Sequence, residues 1–90
     1  MVVYKNDTAV QIILSVGVDI QDATVRRIKY RRPDGYSSYW SASASGTTAI
    51  TYTTVAGDLS QAGEWQLQAY VENTWKRHGL ITRLRVEDTL

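Results

Sequence analysis

The sequence predicts an all-β chain, an antiparallel β-sandwich of about seven strands, and three observations carry that expectation. Thr, Val, Ile, Tyr and Trp, which suit a pleated surface, are abundant, whereas Leu occurs only six times. Apolar and polar residues alternate at every second position in several segments, the spacing that turns one face of a strand toward a core. Turn residues recur at roughly 8–12-residue spacing, as in sandwiches and small barrels. With 90 residues, below the roughly 150 of an average domain, the chain is expected to be one domain over 1–90, its ends 1–7 and 88–90 frayed.

Strands are expected near 2–5, 8–17, 23–32, 36–42, 48–55, 63–73 and 79–87. In the second, Val10, Ile12, Leu14 and Val16 share one face and Ala9, Gln11, Ile13 and Ser15 the other. The third is less regular, because Ala23 and Val25 are out of phase with Ile28 and Tyr30. A β-bulge at Arg26-Arg27 would bring both apolar pairs to the core and push the two arginines outward. Pro33-Asp34-Gly35 then supplies a hairpin turn into the strand that starts at Tyr36. Ser41 to Thr48 carries small, weakly directing side chains and reads as a loop or frayed strand end. Ile50 and Tyr52 mark a short strand, and Asp58 to Ala62 is long enough for a single helical turn at most. Trp65, Leu67, Ala69 and Val71 alternate with Gln66, Gln68, Tyr70 and Glu72, and Leu80, Thr82, Leu84 and Val86 with Ile81, Arg83, Arg85 and Glu87, giving two further half-buried strands.

Composition narrows the chemistry. Ten Lys and Arg against nine Asp and Glu leave a formal charge of +1, too small for a domain whose main task is to hold phosphates, so no nucleic-acid partner is expected. No cysteine and a single histidine exclude disulfides, thiolate chemistry and a multi-histidine metal site within one chain. No segment nears the roughly 20 apolar residues that cross a bilayer, and the first residues lack a basic leader followed by an apolar stretch. Neither a membrane nor a secretory route is expected.

Few residues stand out as site candidates. Arg26, Arg27, Lys29, Arg31 and Arg32 crowd five cations into seven positions; the plain reading is a solvated strand face, and the functional one a patch for an acidic protein surface, beside Tyr36 and Tyr39. Trp65 shares its phase with core residues, and Trp40 fits the large residue between two sheets. Trp75 falls in a loop between cations, where it is expected to be exposed as a contact residue or else to close one end of the sandwich. His78 reads as a turn residue. The serines of 37–45 have no Gly-x-Ser-x-Gly elbow and no triad partners, so no enzyme is expected, and no cofactor.

The run Asp58-Leu59-Ser60-Gln61-Ala62-Gly63-Glu64-Trp65-Gln66-Leu67 is similar to the Asp…Gly-x-Tyr-x-Cys run of immunoglobulin domains, with Trp65 in place of the corner tyrosine and Leu67 in place of the disulfide cysteine. Together with Lys29-Tyr30-Arg31-Arg32-Pro33-Asp34-Gly35 and Ala49-Ile50-Thr51-Tyr52, the order over residues 8 to 87 resembles the N-terminal domain of phage baseplate upper proteins and related immunoglobulin-like domains of phage and prophage tail and neck proteins. The resemblance implies an Ig-like sandwich serving as a non-catalytic structural or attachment module. Its partners would be other virion or assembly proteins and further copies of itself as a homo-oligomer. Its place would be the bacterial cytoplasm during assembly and then the virion. Candidate contact residues are Trp75, Tyr36, Tyr39, Arg26, Arg27 and Arg31. Two alternatives stand beside it: a carbohydrate-binding module stacking sugars on Trp75 with Tyr36 or Tyr39, and an adaptor that adds an edge strand to a partner's sheet.

Overall fold

The computed structural model describes residues 3–89. Among these no helix forms, and nine short strands build two sheets. They are β1 (Val3–Tyr4), β2 (Gln11–Ser15), β3 (Val25–Arg31), β4 (Ser37–Ser41), β5 (Ser43–Ser45), β6 (Ala49–Thr53), β7 (Gly63–Glu72), β8 (Lys76–His78) and β9 (Thr82–Glu87). One sheet runs β1-β9-β7-β3-β4, with β8 also pairing β7, and the other runs β2-β6-β5. All pairings are antiparallel except β1 with β9. The two layers face each other as a β-sandwich.

The core follows from the period-two pattern. Ile28 of β3 lies between Trp40 of β4 and Ala69 of β7, and all three are buried. From the facing sheet Ile12, Leu14 and Ile50 close on them, with Val3 and Val86 at the far side. Four aromatic rings bridge the layers. Trp40 stacks on Tyr52 at 5.1 Å and on Tyr30 at 4.6 Å, and Tyr30 meets Trp65 at 5.5 Å. Each such pair contributes about 0.5–1.5 kcal/mol beyond the area it buries. Trp65 is fully buried, and its indole N–H donates to the Gln61 carbonyl at 3.0 Å. That bond fixes the entry to β7 from four residues upstream, the service a corner tyrosine performs in immunoglobulin domains.

Several expectations need correction. The strand count is nine rather than about seven, because the stretch after Tyr36 switches sheets at Ala42, giving β4 and β5, and the last hairpin arm is split into β8 and β9. β3 carries no bulge: its register with both β4 and β7 is unbroken. Ala23 is buried from a turn, its N–H bonded to the Ile20 carbonyl, and the strand starts only at Val25, which pairs Glu72 on the outward face with Arg27 and is half-buried rather than part of the core. Arg26 consequently falls on the inward face beside Ile28 and Tyr30, half-buried, with Nε lacking a partner.

The extra residue sits elsewhere. Tyr70 pairs His78 whereas Leu67 pairs Thr82, so Leu80 and Ile81 together oppose Gln68, two against one. The expected alternation of the last strand therefore fails at Leu80, which is 88% exposed. Segment 58–62 forms no helical turn. Lys5, Asn6 and Asp7, expected to fray, are bonded through their N–H groups to the carbonyls of Glu87, Leu59 and Tyr4. The start of the expected first strand at Val2, and Met1 and Leu90 of the expected frayed ends, lie outside the described residues.

Candidate functional site

The outward face of the larger sheet collects most of the sequence candidates. Because Ile28 points inward, its neighbours at odd positions on β3, Arg27, Lys29 and Arg31, point out. They are flanked by Ser41, Tyr39 and Ser37 of β4 on one side and by Tyr70, Gln68 and Gln66 of β7 on the other. The Arg27 guanidinium lies 4.3 Å over the Tyr39 ring, and the Lys29 ammonium 4.6 Å over the Tyr70 ring. Such stacks are worth about 0.5–1 kcal/mol each at exposed sites and hold long side chains in place. Tyr70 is buried despite facing outward, for Lys29 and His78 roof it: its ring is 4.9 Å from the imidazole, and Lys29 Nζ is 3.3 Å from His78 Nε2. The Tyr70 hydroxyl donates to Glu72 Oε1 at 2.5 Å; that bond, then burial, raises its pKa above the ordinary tyrosine value.

Charge is distributed unevenly over this face. Arg83 pairs Glu64 at 3.4 Å, Arg85 pairs Glu87 at 3.3 Å, and Lys76 lies 3.9 Å from Glu72. Among the described residues none of Arg27, Lys29 and Arg31 has a carboxylate within 4.0 Å. Beside them runs an open groove of about 390 Å³, lined by Lys29, Arg31, Tyr39, Gln66, Gln68 and Ile81. Tyr39 and Ile81 are 48% and 61% exposed, so the groove offers cations and amides between two apolar walls.

The other candidates lie apart. Tyr36 follows the hairpin turn and stacks under the Arg32 guanidinium at 4.3 Å. The turn is fixed by Asp34, whose carboxylate accepts from Gln61 Nε2 at 2.8 Å, Tyr36 N at 2.9 Å and Arg32 at 3.2 Å. Those bonds, the one from Gln61 foremost, lower its pKa. Trp75 lies at the opposite end of β3, next to the strand start at Val25, and is half-buried against the core rather than exposed as expected. It closes that end of the sandwich and borders a small hollow with Asp19, Asp22 and Arg77. Trp75 and Tyr36 share no platform. Arg26 faces inward, whereas Arg27, Arg31 and Tyr39 share the outward face, where Arg31 and Tyr39 line the groove and Arg27 stacks on Tyr39 beside it.

Gln66, Gln68 and Ile81 are members of the face that were not singled out from the sequence, and Lys29 stands there among the five cations but not among the candidate contact residues. Strand parity places Lys29 on the face of Arg27 and Arg31 and puts Gln66 and Gln68 on the outward face of β7, but only the pairing of β7 with β3 brings the two glutamines beside the cations. Ile81 needed knowledge of the bulge. No protein-family model, curated protein or solved structure matches the chain.

Proposed function

We propose that this domain is a non-catalytic attachment module acting through protein–protein contact, and that the outward face of β3, β4 and β7 is its contact surface. The observation that carries the reading is the row Arg27, Lys29 and Arg31, two residues apart and without carboxylate partners among the described residues, set between exposed Tyr39 and Ile81. Cations already stacked on tyrosines lose little freedom on binding, so an acidic surface is met at low entropic cost. Aromatic and arginine side chains are also the residues that dominate protein interfaces. On the sequence resemblance, the assembly is a phage or prophage virion, at the tail, baseplate or neck.

The test is reconstitution with purified virion proteins encoded by the neighbouring genes. A Lys29→Glu/Arg31→Glu chain is expected to lose at least about tenfold in affinity, as charge reversal at a central contact does. Arg83→Glu, on the ion-paired flank, is expected to cost far less. Failure to bind any of these proteins, or equal losses at both places, would overturn the assignment.

A further inference from the structure

We infer that the open edge of β4 is a self-pairing edge, through which two copies of this chain join their larger sheets about a twofold axis at Tyr39. β4 ends its sheet, with β3 on one side and no strand on the other. The hydrogen-bond parity of that pairing is fixed at both ends. Arg32 N donates to the Tyr36 carbonyl at 2.8 Å and Ala42 N to the Arg26 carbonyl at 2.9 Å, so the residues bonded to β3 are even-numbered. The N–H and C=O groups of Ser37, Tyr39 and Ser41 therefore point to the open side. These three residues are exposed.

The occupant is argued from what the edge lacks and from its symmetry. Edge strands are ordinarily guarded by a lysine, a proline or a bulge. β4 has none of these, and no charged residue or histidine occurs from Tyr36 to Gly57, a stretch that includes both β4 and the neighbouring β5 edge. An antiparallel copy centred on Tyr39 sets Tyr39 opposite Tyr39 and Ser37 opposite Ser41. Every free N–H then meets a free C=O, and no charge is brought against its like within the seam. The backbones that carry Arg27, Lys29 and Arg31 in the two copies would be three strand spacings apart, about 14 Å, but the Arg27 guanidinium, 4.3 Å over Tyr39, and Arg31 Nε, 3.4 Å from Ser37 Oγ, reach out over β4, so added salt should favour the pairing. A partner strand rich in acidic residues would find no counter-charge on β4 itself. This pairing stands independently of the contact role of the face, and it would set two grooves side by side on one continuous sheet.

Sedimentation of the full chain up to millimolar concentration, with amide exchange followed by NMR on the same samples, tests the inference. A reversible dimer is expected, and the amides of Ser37, Tyr39 and Ser41 should slow as it forms, whereas those of Ser38 and Trp40 are slow at every concentration. Tyr39→Lys sets two ammonium groups face to face, and Ser41→Pro deletes an N–H that the monomer does not use. Each should weaken the dimer by about tenfold or more while circular dichroism shows the sandwich intact. A chain monomeric throughout overturns the inference, as does a dimer whose Ser37, Tyr39 and Ser41 amides stay fast. A dimer indifferent to whichever variant keeps its fold overturns it as well.

Discussion

Tyr52 shows how one half-buried phenol links the core to the turn that follows it. Its ring stacks on Trp40 and its hydroxyl donates to Asp58 Oδ2 at 2.6 Å, while the same carboxylate oxygen accepts from Val55 N at 2.8 Å. Burial first, and the bond to Asp58 second, push its pKa up to about 12 from 10.0. The folded state thus keeps a proton that the unfolded chain gives up at lower pH, so the stability from this site is complete below about pH 10 and is lost as pH rises toward 12. Thermal melts across that interval should fall more steeply for the native chain than for Tyr52→Phe; parallel curves would show that the phenol is not held. Gly63 is a second sensitive point. Its φ is +129°, and a β-carbon there would lie 2.7 Å from Pro33 Cγ, so Gly63→Ala should cost on the order of 1–3 kcal/mol, measurable by urea denaturation. Trp65 can be read as core from the sequence because its neighbours alternate, and Trp40 because a sandwich needs a large residue between its sheets. Ile20 and Leu59 are equally buried, but they sit in loops where no periodicity marks them.

Strand parity sorts the side chains of each element, and that much is readable from the sequence wherever the alternation is clean, as on β7. It fails where two structures explain the same pattern. Ala23 drops out because the strand starts after it, Val25 stays half-buried on the outward face, and the long aliphatic stem of Arg26 lets a cation occupy an inward position near the sandwich end. The real bulge, at Leu80-Ile81, leaves no such mark, since both residues are apolar and either phase looks acceptable. Deleting Leu80 removes the extra residue while leaving Gly79 opposite Ala69 and Thr82 opposite Leu67. The melting temperature is expected to change by only a few degrees; loss of the folded transition would show that the bulge supports the sheet. Gly79 is the less tolerant neighbour, for a β-carbon there would lie 2.8 Å from the Ser15 carbonyl oxygen of the facing sheet.

At the scale of the molecule, the two layers turn apolar side chains toward each other and leave the remaining chemistry on the outer skin. The all-β class and most strand positions follow from local pattern. The order of strands in the sheets does not, because pairing partners are set by long-range closure rather than by neighbours in sequence. The contact face inherits that division: its cations are conspicuous in the sequence, but only the lateral order β9-β7-β3-β4 sets them between Ile81 and Tyr39 with Gln66 and Gln68 beneath. The most direct measurement of its role is an NMR titration of the isotopically labelled chain with a short poly-glutamate peptide. Amide shifts should move at Arg27, Lys29, Arg31, Tyr39, Gln66 and Gln68 and fade with added salt. Shifts gathered instead around Trp75 and Asp22, or none at all, would contradict the assignment of this face.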